Sequence, residues 1–168
     1  MIIKATQLHL PQILDLNSKI IEYMNLRGFS HWNECYPSEA IFRRDIMRDS
    51  QFIYKINDKI VGIVSFDTQH HEYFDTIDWN PENKSAYFVH RLAVDPKFQG
   101  RGIANKLMEF SENNARKDRI DSIRLGAFKG YNEVVGFYKN RGYEVRGEIL
   151  FDVSDTTFYG MEKTLSKH

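Results

Sequence analysis

The apolar positions in the first third of the chain predict a short strand followed by two helices. The strand covers residues 2–5, and a helix follows because apolar residues recur at helical spacing, with Gly28 beyond its end as a stop. Ser38 is placed to cap a second helix that runs to about Asp49. Between the helices, the segment Phe29–Pro37 is irregular and aromatic. The apolar positions of the first helix are Leu10, Ile13, Leu14, Ile20, Ile21 and Met24.

The middle of the chain predicts three strands. Two apolar, β-branched runs, Gln51–Ile56 and Ile60–Phe66, are separated by the turn residues Asn57-Asp58-Lys59, which is the pattern of a hairpin. A third run, Ala86–Val94, ends at Asp95-Pro96. The polar stretch over residues 67–84 is long for a connector, and connectors of that length are often functional or mobile.

The last part of the chain alternates strands and helices. A helix starts near Gly100 to Gly102, and a second one, over residues 131–140, is closed by Gly142. Strands are predicted over 122–127, over 143–151 with an interruption near Gly147, and over 158–165 after a turn at 155–157. The order is β-α-α-β-β-β-α-β-α-β-β. Short turns make the early strands antiparallel, whereas a strand-helix-strand unit requires a parallel pair. We therefore predict an α/β fold with a mixed, mostly antiparallel central sheet and helices on both faces, in a single domain over residues 1–168.

Composition narrows the class of protein. The 168 residues include 23 Lys plus Arg and 23 Asp plus Glu, and this neutrality counts against a nucleic-acid partner. Cys35 is the only cysteine, which excludes an internal disulfide and favours a reducing compartment. We interpret Cys35 as a packed or loop thiol rather than a nucleophile. No apolar run has membrane-spanning length, so we predict a cytoplasmic protein without a membrane partner.

One segment carries recognisable chemistry. A β-branched strand beginning at Val89 runs into Asp-Pro, then into a glycine-rich turn that ends at Ala104 and opens a helix. Such a turn presents backbone N–H groups at a helix N-terminus, which suits a pyrophosphate. Gly100 and Gly102 would let the backbone approach phosphate oxygens, and Arg101 could add a charged contact. The turn lacks the G-x-G-x-x-G pattern of dinucleotide folds and the Gly-Lys-Ser/Thr of a P-loop.

At this point the chain resembles the GNAT superfamily of acyl-CoA-dependent N-acyltransferases, in particular its bacterial small-molecule-type members. Gln99-Gly-Arg-Gly-Ile-Ala104 satisfies every fixed position of the signature Q/R-x-x-G-x-G/A. The preceding Leu92-Ala-Val-Asp-Pro96 is typical of the fourth strand, and the segment from Asn132 to Tyr143 looks like the family's later helix. The resemblance implies a sheet whose fourth and fifth strands splay apart, acetyl-CoA as the acetyl donor and CoA as a product.

The resemblance also implies roles for individual residues. Leu92 and Val94 would pair with pantetheine through their backbone, and the Leu92 amide would donate to the thioester oxygen. Asn132 matches a position that contacts the cofactor arm, and Tyr138 matches a second cofactor-binding position. The backbone that would hold the pyrophosphate belongs to Gln99, Gly100, Arg101, Gly102, Ile103 and Ala104.

Two residues are candidates for proton transfer. Tyr138 matches the general acid that would protonate the departing thiolate, and its ordinary pKa of about 10 suits that role; the alternative is a core tyrosine. His90 is the candidate base, because it lies two residues before Leu92 and both side chains should then point to one side of the strand. A packed histidine is equally compatible with the sequence, with Glu72 or Asp75 acting through water. His70-His71-Glu72 is not interpreted as a metal site, since adjacent strand residues diverge.

The acceptor is expected beside the loop that joins the first two helices. Trp32 and Tyr36 would wall a small pocket there, and Glu72 could attract a cationic amine. We predict direct attack by the amine of a small molecule in a ternary complex. A peptide or protein acceptor, at an N-terminus or a lysine, and a non-catalytic CoA-binding module are the alternatives. A homodimer is compatible with the family.

Overall fold

The computed structural model describes residues 1–151 and 156–165. Its helices and strands follow one another in the predicted order. Three short 3-10 turns, Gln7–His9, Glu72–Thr76 and Pro96–Phe98, lie between them. The elements are β1 (Ile2–Lys4), α1 (Leu10–Leu26), α2 (Glu39–Met47), β2 (Gln51–Ile56), β3 (Lys59–Asp67), β4 (Ala86–Val94), α3 (Ile103–Lys117), β5 (Ser122–Phe128), α4 (Asn132–Asn140), β6 (Glu144–Phe151) and β7 (Thr156–Thr164).

The hydrogen-bonded strand order is β1-β2-β3-β4-β5-β7-β6. The β4–β5 pair is parallel, and it joins the two strands that α3 connects along the chain. The β1–β2, β2–β3, β5–β7 and β6–β7 pairs are antiparallel. The predicted α/β class with a mixed, mostly antiparallel sheet is therefore confirmed.

The chain divides into two compact units, and the first comprises Met1–Phe66 and His90–Ser111. Its core lies between α1, α2 and the strands of this unit. Asn17 and Asp45 are polar residues buried among these apolar side chains. The apolar core residues include Leu10, Ile13, Leu16, Ile20, Phe42, Ile46, Ile53, Ile63 and Ala93.

The second unit comprises Asp67–Val89 and the described residues from Glu112 onward. Ile123, Leu125 and Met161, on β5 and β7, are fully buried in it. Two aromatic residues of the long polar stretch contact each other. The Trp79 Nε1–H donates to the Phe74 carbonyl at 2.9 Å, and the centroids of the two rings lie 6.2 Å apart.

Two sequence expectations concern the last hairpin. The predicted interruption near Gly147 is confirmed, because the β6–β7 register shifts between Val145 and Gly147. A Cβ at residue 147 would come within 3.0 Å of Ile77 Cδ1, so glycine permits this close approach. The predicted turn at 155–157 is wrong for Thr156 and Thr157, which already pair in β7; residue 155 lies outside the described residues.

Among the described residues, no helix is both long and apolar enough to span a bilayer.

Candidate active site

A glycine-rich turn joins β4 to α3. Gly100 and Gly102 have φ of +73° and +76°, a region that glycine enters without strain. A Cβ on either glycine would meet no atom within 4 Å beyond its chain neighbours, so the space beside the turn is open to a ligand. Ile103 then begins α3, and the first-turn amides of a helix have no acceptor within it. The turn therefore offers amide donors and partial positive charge to an anion.

Two exposed side chains of the turn are held in defined places. The Gln99 Nε2–H donates to the Val94 carbonyl at 3.2 Å. The Arg101 guanidinium carbon lies 4.9 Å from the centroid of the Phe98 ring, a distance at which a cation is attracted to a ring face. Arg101 thus adds a full positive charge to the turn.

Asp95 anchors the start of the turn. Its amide donates to the Val61 carbonyl at 2.9 Å, and its Oδ1 accepts from the Lys97 amide at 2.9 Å. The Lys59 ammonium lies 3.1 Å from Oδ2. Burial by itself would raise the pKa of Asp95, but the Lys97 amide and the Lys59 charge outweigh it and the pKa lies below its ordinary value. Asp95 is therefore a charged, buried cap at the end of β4.

The N-terminal part of α3 sits close to β3. A Cβ on Gly62 would lie 3.0 Å from Ile103 Cγ2 and 3.1 Å from Leu107 Cδ1. These distances are tighter than ordinary van der Waals contact, so glycine at this strand position sets how closely the helix approaches. The close packing fixes the helix end that follows the glycine-rich turn.

Strand β4 changes character halfway along its length. Its ladder with β5 runs from Ala86 to Val89 and ends there, as expected for strands that splay apart. Arg91 has φ of +52°, which is rare for a non-glycine residue inside a strand. Leu92 and Val94 follow beyond this irregularity, so the part of β4 assigned to pantetheine lies outside the β5 ladder.

The left-handed residue also changes one argument made from the sequence. His90 and Leu92 were expected on one side of the strand because successive strand residues alternate. That alternation requires extended backbone, and Arg91, between them, is not extended. The shared-side argument for His90 therefore does not hold, and both His90 and Leu92 are half-buried.

Arg91 connects β4 to the acceptor loop and to α2. Its side chain is 6% exposed and forms an ion pair with Asp45, which is 3% exposed. A second guanidinium nitrogen lies 3.4 Å from the Tyr36 hydroxyl. Asp45 also lies 3.1 Å from the Arg44 guanidinium. Tyr36, predicted to wall the acceptor pocket, is thus tied to the strand residue that directly precedes Leu92.

The other loop residues have different surroundings. Trp32 is half-buried and packs against the core of the first unit, whereas Tyr36 is exposed at the surface of the loop. Cys35 is also exposed, and its amide donates to Asn33 Oδ1 at 2.8 Å. It is a loop thiol, as expected.

Tyr138 lies on α4 in the second unit and is almost completely buried. Burial raises the pKa of this phenol well above its ordinary value, and the nearby Arg141 charge offsets the rise only in part. The side chain packs edge-to-face against Phe137 and Tyr143. Its hydroxyl makes no hydrogen bond within the described residues, and it is protonated at neutral pH. Asn132, at the start of α4, is exposed.

The neighbouring Tyr143 differs from Tyr138 in its hydrogen bonding. Its hydroxyl donates to Glu112 Oε1 at 3.2 Å, and the same carboxylate receives Arg141 at 3.0 Å and Lys163 at 2.9 Å. Burial and the Glu112 charge raise the pKa of Tyr143. The Tyr143 phenol is thus engaged in a structural network, whereas the Tyr138 phenol is not.

Glu72 and its neighbours lie on the 3-10 turn of the second unit. Glu72 and Asp75 are exposed, and Asp75 accepts from His70 Nε2 at 2.8 Å. The His70 ring stacks on Phe88 with centroids 4.4 Å apart. No group of three or more His, Cys, Asp or Glu within residues 1–151 and 156–165 is placed to hold a metal ion.

Similarity to known proteins shows which family this chain belongs to. The model of the acetyltransferase (GNAT) family matches residues 17–143, which covers β4, the glycine-rich turn and α4. This chain belongs to the GNAT family. It is similar to the "Uncharacterized N-acetyltransferase YesJ" of Bacillus subtilis, with 23% identity over 137 residues that cover 80% of this chain and 76% of that protein.

Solved structures of the GNAT family share the fold. A GNAT acetyltransferase from Streptococcus agalactiae aligns with a TM-score of 0.85 at 19% identity, over 99% of this chain and 96% of that one. The PaiA N-acetyltransferase from Thermoplasma acidophilum, solved in complex with coenzyme A, aligns with a TM-score of 0.75 at 16% identity, over 98% of each chain. The family model and the N-acetyltransferase relative, rather than these structures, show that this GNAT protein is an acyl-CoA-dependent N-acetyltransferase.

Sequence reasoning about the GNAT site missed Arg91 and Asp45. A signal for Asp45 was available, because Phe42, Asp45 and Ile46 share the buried face of α2 at helical spacing. A carboxylate on such a face requires a buried cation. Arg91, a charge within the apolar strand Ala86–Val94, was the matching candidate.

Proposed function

We propose that this GNAT protein transfers the acetyl group of acetyl-CoA to the amine of a small molecule by direct attack in a ternary complex. The observation that carries the proposal is the turn with two left-handed glycines and open space beside them. Bound acetyl-CoA supplies the acetyl group as a thioester. The family and the coenzyme A complex of a structural relative support this cofactor.

The turn fits a diphosphate in charge and in shape. We assign the diphosphate to the backbone amides of residues 99–104, with Arg101 as the charged contact. The open position of the Gly100 and Gly102 Cα atoms favours close approach of phosphate oxygens. Asn132, exposed at the start of α4, remains a candidate contact for the cofactor arm.

The part of β4 beyond Val89 is assigned to the pantetheine arm. Leu92 is the proposed main-chain donor to the carbonyl oxygen of the acetyl group, because a fixed amide stabilises negative charge there by a few kcal/mol. The Val94 carbonyl accepts a hydrogen bond from the Gln99 side chain at 3.2 Å, and a carbonyl oxygen has a second lone pair that a ligand can use. The end of the β5 ladder at Val89 supports this assignment.

Tyr138 is the proposed general acid. Burial raises the pKa of this phenol, so the phenol keeps its proton at neutral pH but is a weaker acid than the ordinary pKa implies. The assignment is supported by the match to the family position and by a hydroxyl that makes no hydrogen bond within the described residues. After the amine has formed the carbon–nitrogen bond, the phenol would donate that proton to the sulfur of the departing thiolate as the carbon–sulfur bond breaks. His90 is the proposed base that takes a proton from the amine, and Glu72 or Asp75 through water is the alternative.

Trp32, Tyr36 and Glu72 are the proposed acceptor contacts. Among them, Tyr36 has the strongest support, because Arg91 holds its hydroxyl at 3.4 Å and Arg91 directly precedes Leu92. A tyrosine offers an apolar ring and a polar tip to a small amine. A peptide or protein amine is the second candidate acceptor, and a homodimer remains a prediction.

The test measures thiol release from acetyl-CoA over a panel of small amines, aminoglycosides and peptides. We expect release above background with at least one small amine and none of comparable rate with peptides. Calorimetry with acetyl-CoA supplies the matching binding constant. Arg101→Ala should weaken binding several-fold, whereas Lys117→Ala, an exposed cation at the other end of α3, should leave it unchanged.

Two results would contradict the proposal. Background release with every amine, together with normal uptake of acetyl-CoA, would favour a non-catalytic CoA-binding module. No uptake of acetyl-CoA at all would remove the assignment of the glycine-rich turn.

A further inference from the structure

The backbone of Arg91 differs from that of every other non-glycine residue with positive φ in the described part of the chain. Asp49, Asn57 and Arg119 also have positive φ, but all three lie in turns between elements. Arg91 lies inside the strand β4. A residue with a Cβ disfavours this backbone roughly tenfold relative to glycine, so the conformation persists only where the surroundings fix it.

The Arg91 side chain makes contacts that fix this backbone. Its guanidinium forms an ion pair with Asp45 on α2, and the two side chains are 6% and 3% exposed. The guanidinium also donates to the Tyr36 hydroxyl at 3.4 Å. A glycine would adopt the same backbone without penalty, but it would make neither contact. The ion pair therefore anchors a residue whose backbone is otherwise unfavourable.

The residue held in this way directly precedes the proposed main-chain donor. The Leu92 N–H belongs to the planar peptide unit that joins Arg91 to Leu92, so the dihedral angles of Arg91 set the direction of this N–H. The chain beyond Leu92 is fixed separately, since Ala93 belongs to the core of the first unit and the Asp95 amide donates to the Val61 carbonyl at 2.9 Å. A change in the backbone at Arg91 should therefore redirect the Leu92 N–H while the following residues stay in place.

We propose that the ion pair between Asp45 and Arg91 positions the donor to the acetyl group. It keeps Arg91 in the left-handed conformation and so aims the Leu92 amide at the carbonyl oxygen of bound acetyl-CoA. Asp45 and Arg91 are positioning residues, because neither is assigned a contact with a reacting atom. The inference rests on the proposed function, which makes Leu92 the donor to that oxygen, and it adds which side chains hold the donor in place.

The test compares two variants that lose the same guanidinium. Arg91→Ala and Arg91→Gly both remove the ion pair, but glycine still adopts positive φ readily and alanine does not. The probe is acetyl-CoA labelled with carbon-13 at the acetyl carbonyl, because a hydrogen bond to the oxygen moves the resonance of this carbon downfield. We expect the largest displacement from free acetyl-CoA in the wild type, a smaller one in Arg91→Gly and the smallest in Arg91→Ala.

Turnover gives the second measurement, with the amine that reacts fastest with the wild type. The kcat of Arg91→Ala should be about tenfold below that of Arg91→Gly, because alanine disfavours the left-handed backbone by about this factor. A merely structural role predicts the opposite order, since glycine weakens a strand more than alanine does. The acetyl-CoA Kd from calorimetry should differ by less than about fivefold between the two variants, because the glycine-rich turn is unchanged in both.

Two further variants serve as controls. Arg44 also pairs with Asp45, at 3.1 Å, but it belongs to α2, so Arg44→Ala should keep the wild-type displacement and kcat. Both Arg91 variants are also made together with Asp45→Asn, so that no buried carboxylate is left without its arginine. This second background allows the same comparison if the single variants do not fold.

Equal displacements in Arg91→Ala and Arg91→Gly would overturn the inference and leave the proposed function intact, as would a kcat of Arg91→Ala equal to or above that of Arg91→Gly. A wild-type resonance at the position of free acetyl-CoA, with binding seen by calorimetry, would remove Leu92 as the donor and this inference with it. The resonance is measured without an acceptor, so it decides the inference even if no amine of the panel reacts.

Discussion

Asp45→Asn removes the carboxylate that pairs with the buried Arg91 guanidinium. Both side chains are almost fully buried, at 3% and 6% exposed, so water replaces little of the lost interaction. Removing one partner of a buried ion pair lowers the free energy of unfolding by about 3–5 kcal/mol, because the remaining charge stays buried without compensation. Arg91 would keep the Tyr36 hydroxyl, at 3.4 Å, and the neutral amide oxygen of the introduced asparagine can still accept a hydrogen bond from it. Because these neutral acceptors remain, we expect a loss in the lower half of that range.

The reverse change, Arg91→Met, should have a smaller effect. Asp45 retains Arg44, whose guanidinium lies 3.1 Å away and whose side chain is 47% exposed. A partly exposed pair of this kind contributes at most about 1 kcal/mol, so the loss should be smaller than for Asp45→Asn by about that amount. Arg44→Met alone should change the stability by less than about 1 kcal/mol, and it is the matched control.

The measurement is urea denaturation followed by tryptophan fluorescence, with linear extrapolation to water. The double variant Asp45→Leu with Arg91→Met should recover much of the stability lost in Asp45→Asn, since an apolar pair of similar volume often replaces a buried ion pair without loss. The reasoning is refuted if Asp45→Asn costs less than about 1 kcal/mol, or if the double variant is less stable than both single variants.

Three further predictions concern the glycine-rich turn, the proposed general acid and a half-buried histidine. Gly102→Ala should lower the free energy of unfolding by about 1 kcal/mol in the urea denaturation assay, because the φ of Gly102 is positive. Gly136 is the control, since a Cβ there would also meet no atom within 4 Å but the residue is helical. Gly136→Ala should raise the free energy of unfolding by about 0.5–1 kcal/mol. Tyr138→Phe should lower kcat on the order of a hundredfold and leave the acetyl-CoA Kd from calorimetry unchanged. A variant with wild-type turnover across the pH range would show that Tyr138 is not the general acid. Burial lowers the pKa of His31 to about 4, so the unfolded chain takes up a proton on this residue more readily than the folded one does. The free energy of unfolding should therefore be highest above pH 6.5 and fall as the pH drops towards 4. His31→Phe should make the free energy of unfolding less dependent on pH, as measured by denaturation at pH 7 and pH 5.

Much of the fold follows from local patterns. Helical spacing, β-branched runs and turn residues predicted the complete element order, and Ser38 caps α2 with its hydroxyl 3.4 Å from the Ile41 amide. The glycine-rich turn was also predictable, because a left-handed backbone selects glycine at particular positions. The boundary error at the start of β7 arose because Thr156 and Thr157 are compatible with both a turn and a strand.

The contacts that complete the site could not be read in this way. Arg91 meets Asp45 because β4 and α2 pack together, and no local spacing connects those two positions. The left-handed backbone at Arg91 broke the alternation on which the placement of His90 depended. Burial of a charge depends on a partner supplied from elsewhere in the chain, so the sequence could suggest Arg91 as a candidate partner of Asp45, and only the folded structure shows that the two residues pair.

By itself, the sequence determined the order of helices and strands, the diphosphate-type turn and the family resemblance, because each depends on neighbouring residues that share a backbone pattern. Tertiary structure alone decided which buried charges are paired, and that Tyr143 donates to Glu112 while the Tyr138 hydroxyl makes no hydrogen bond within the described residues. These features depend on distances between residues far apart in the chain, which are set only when the apolar faces pack and exclude water.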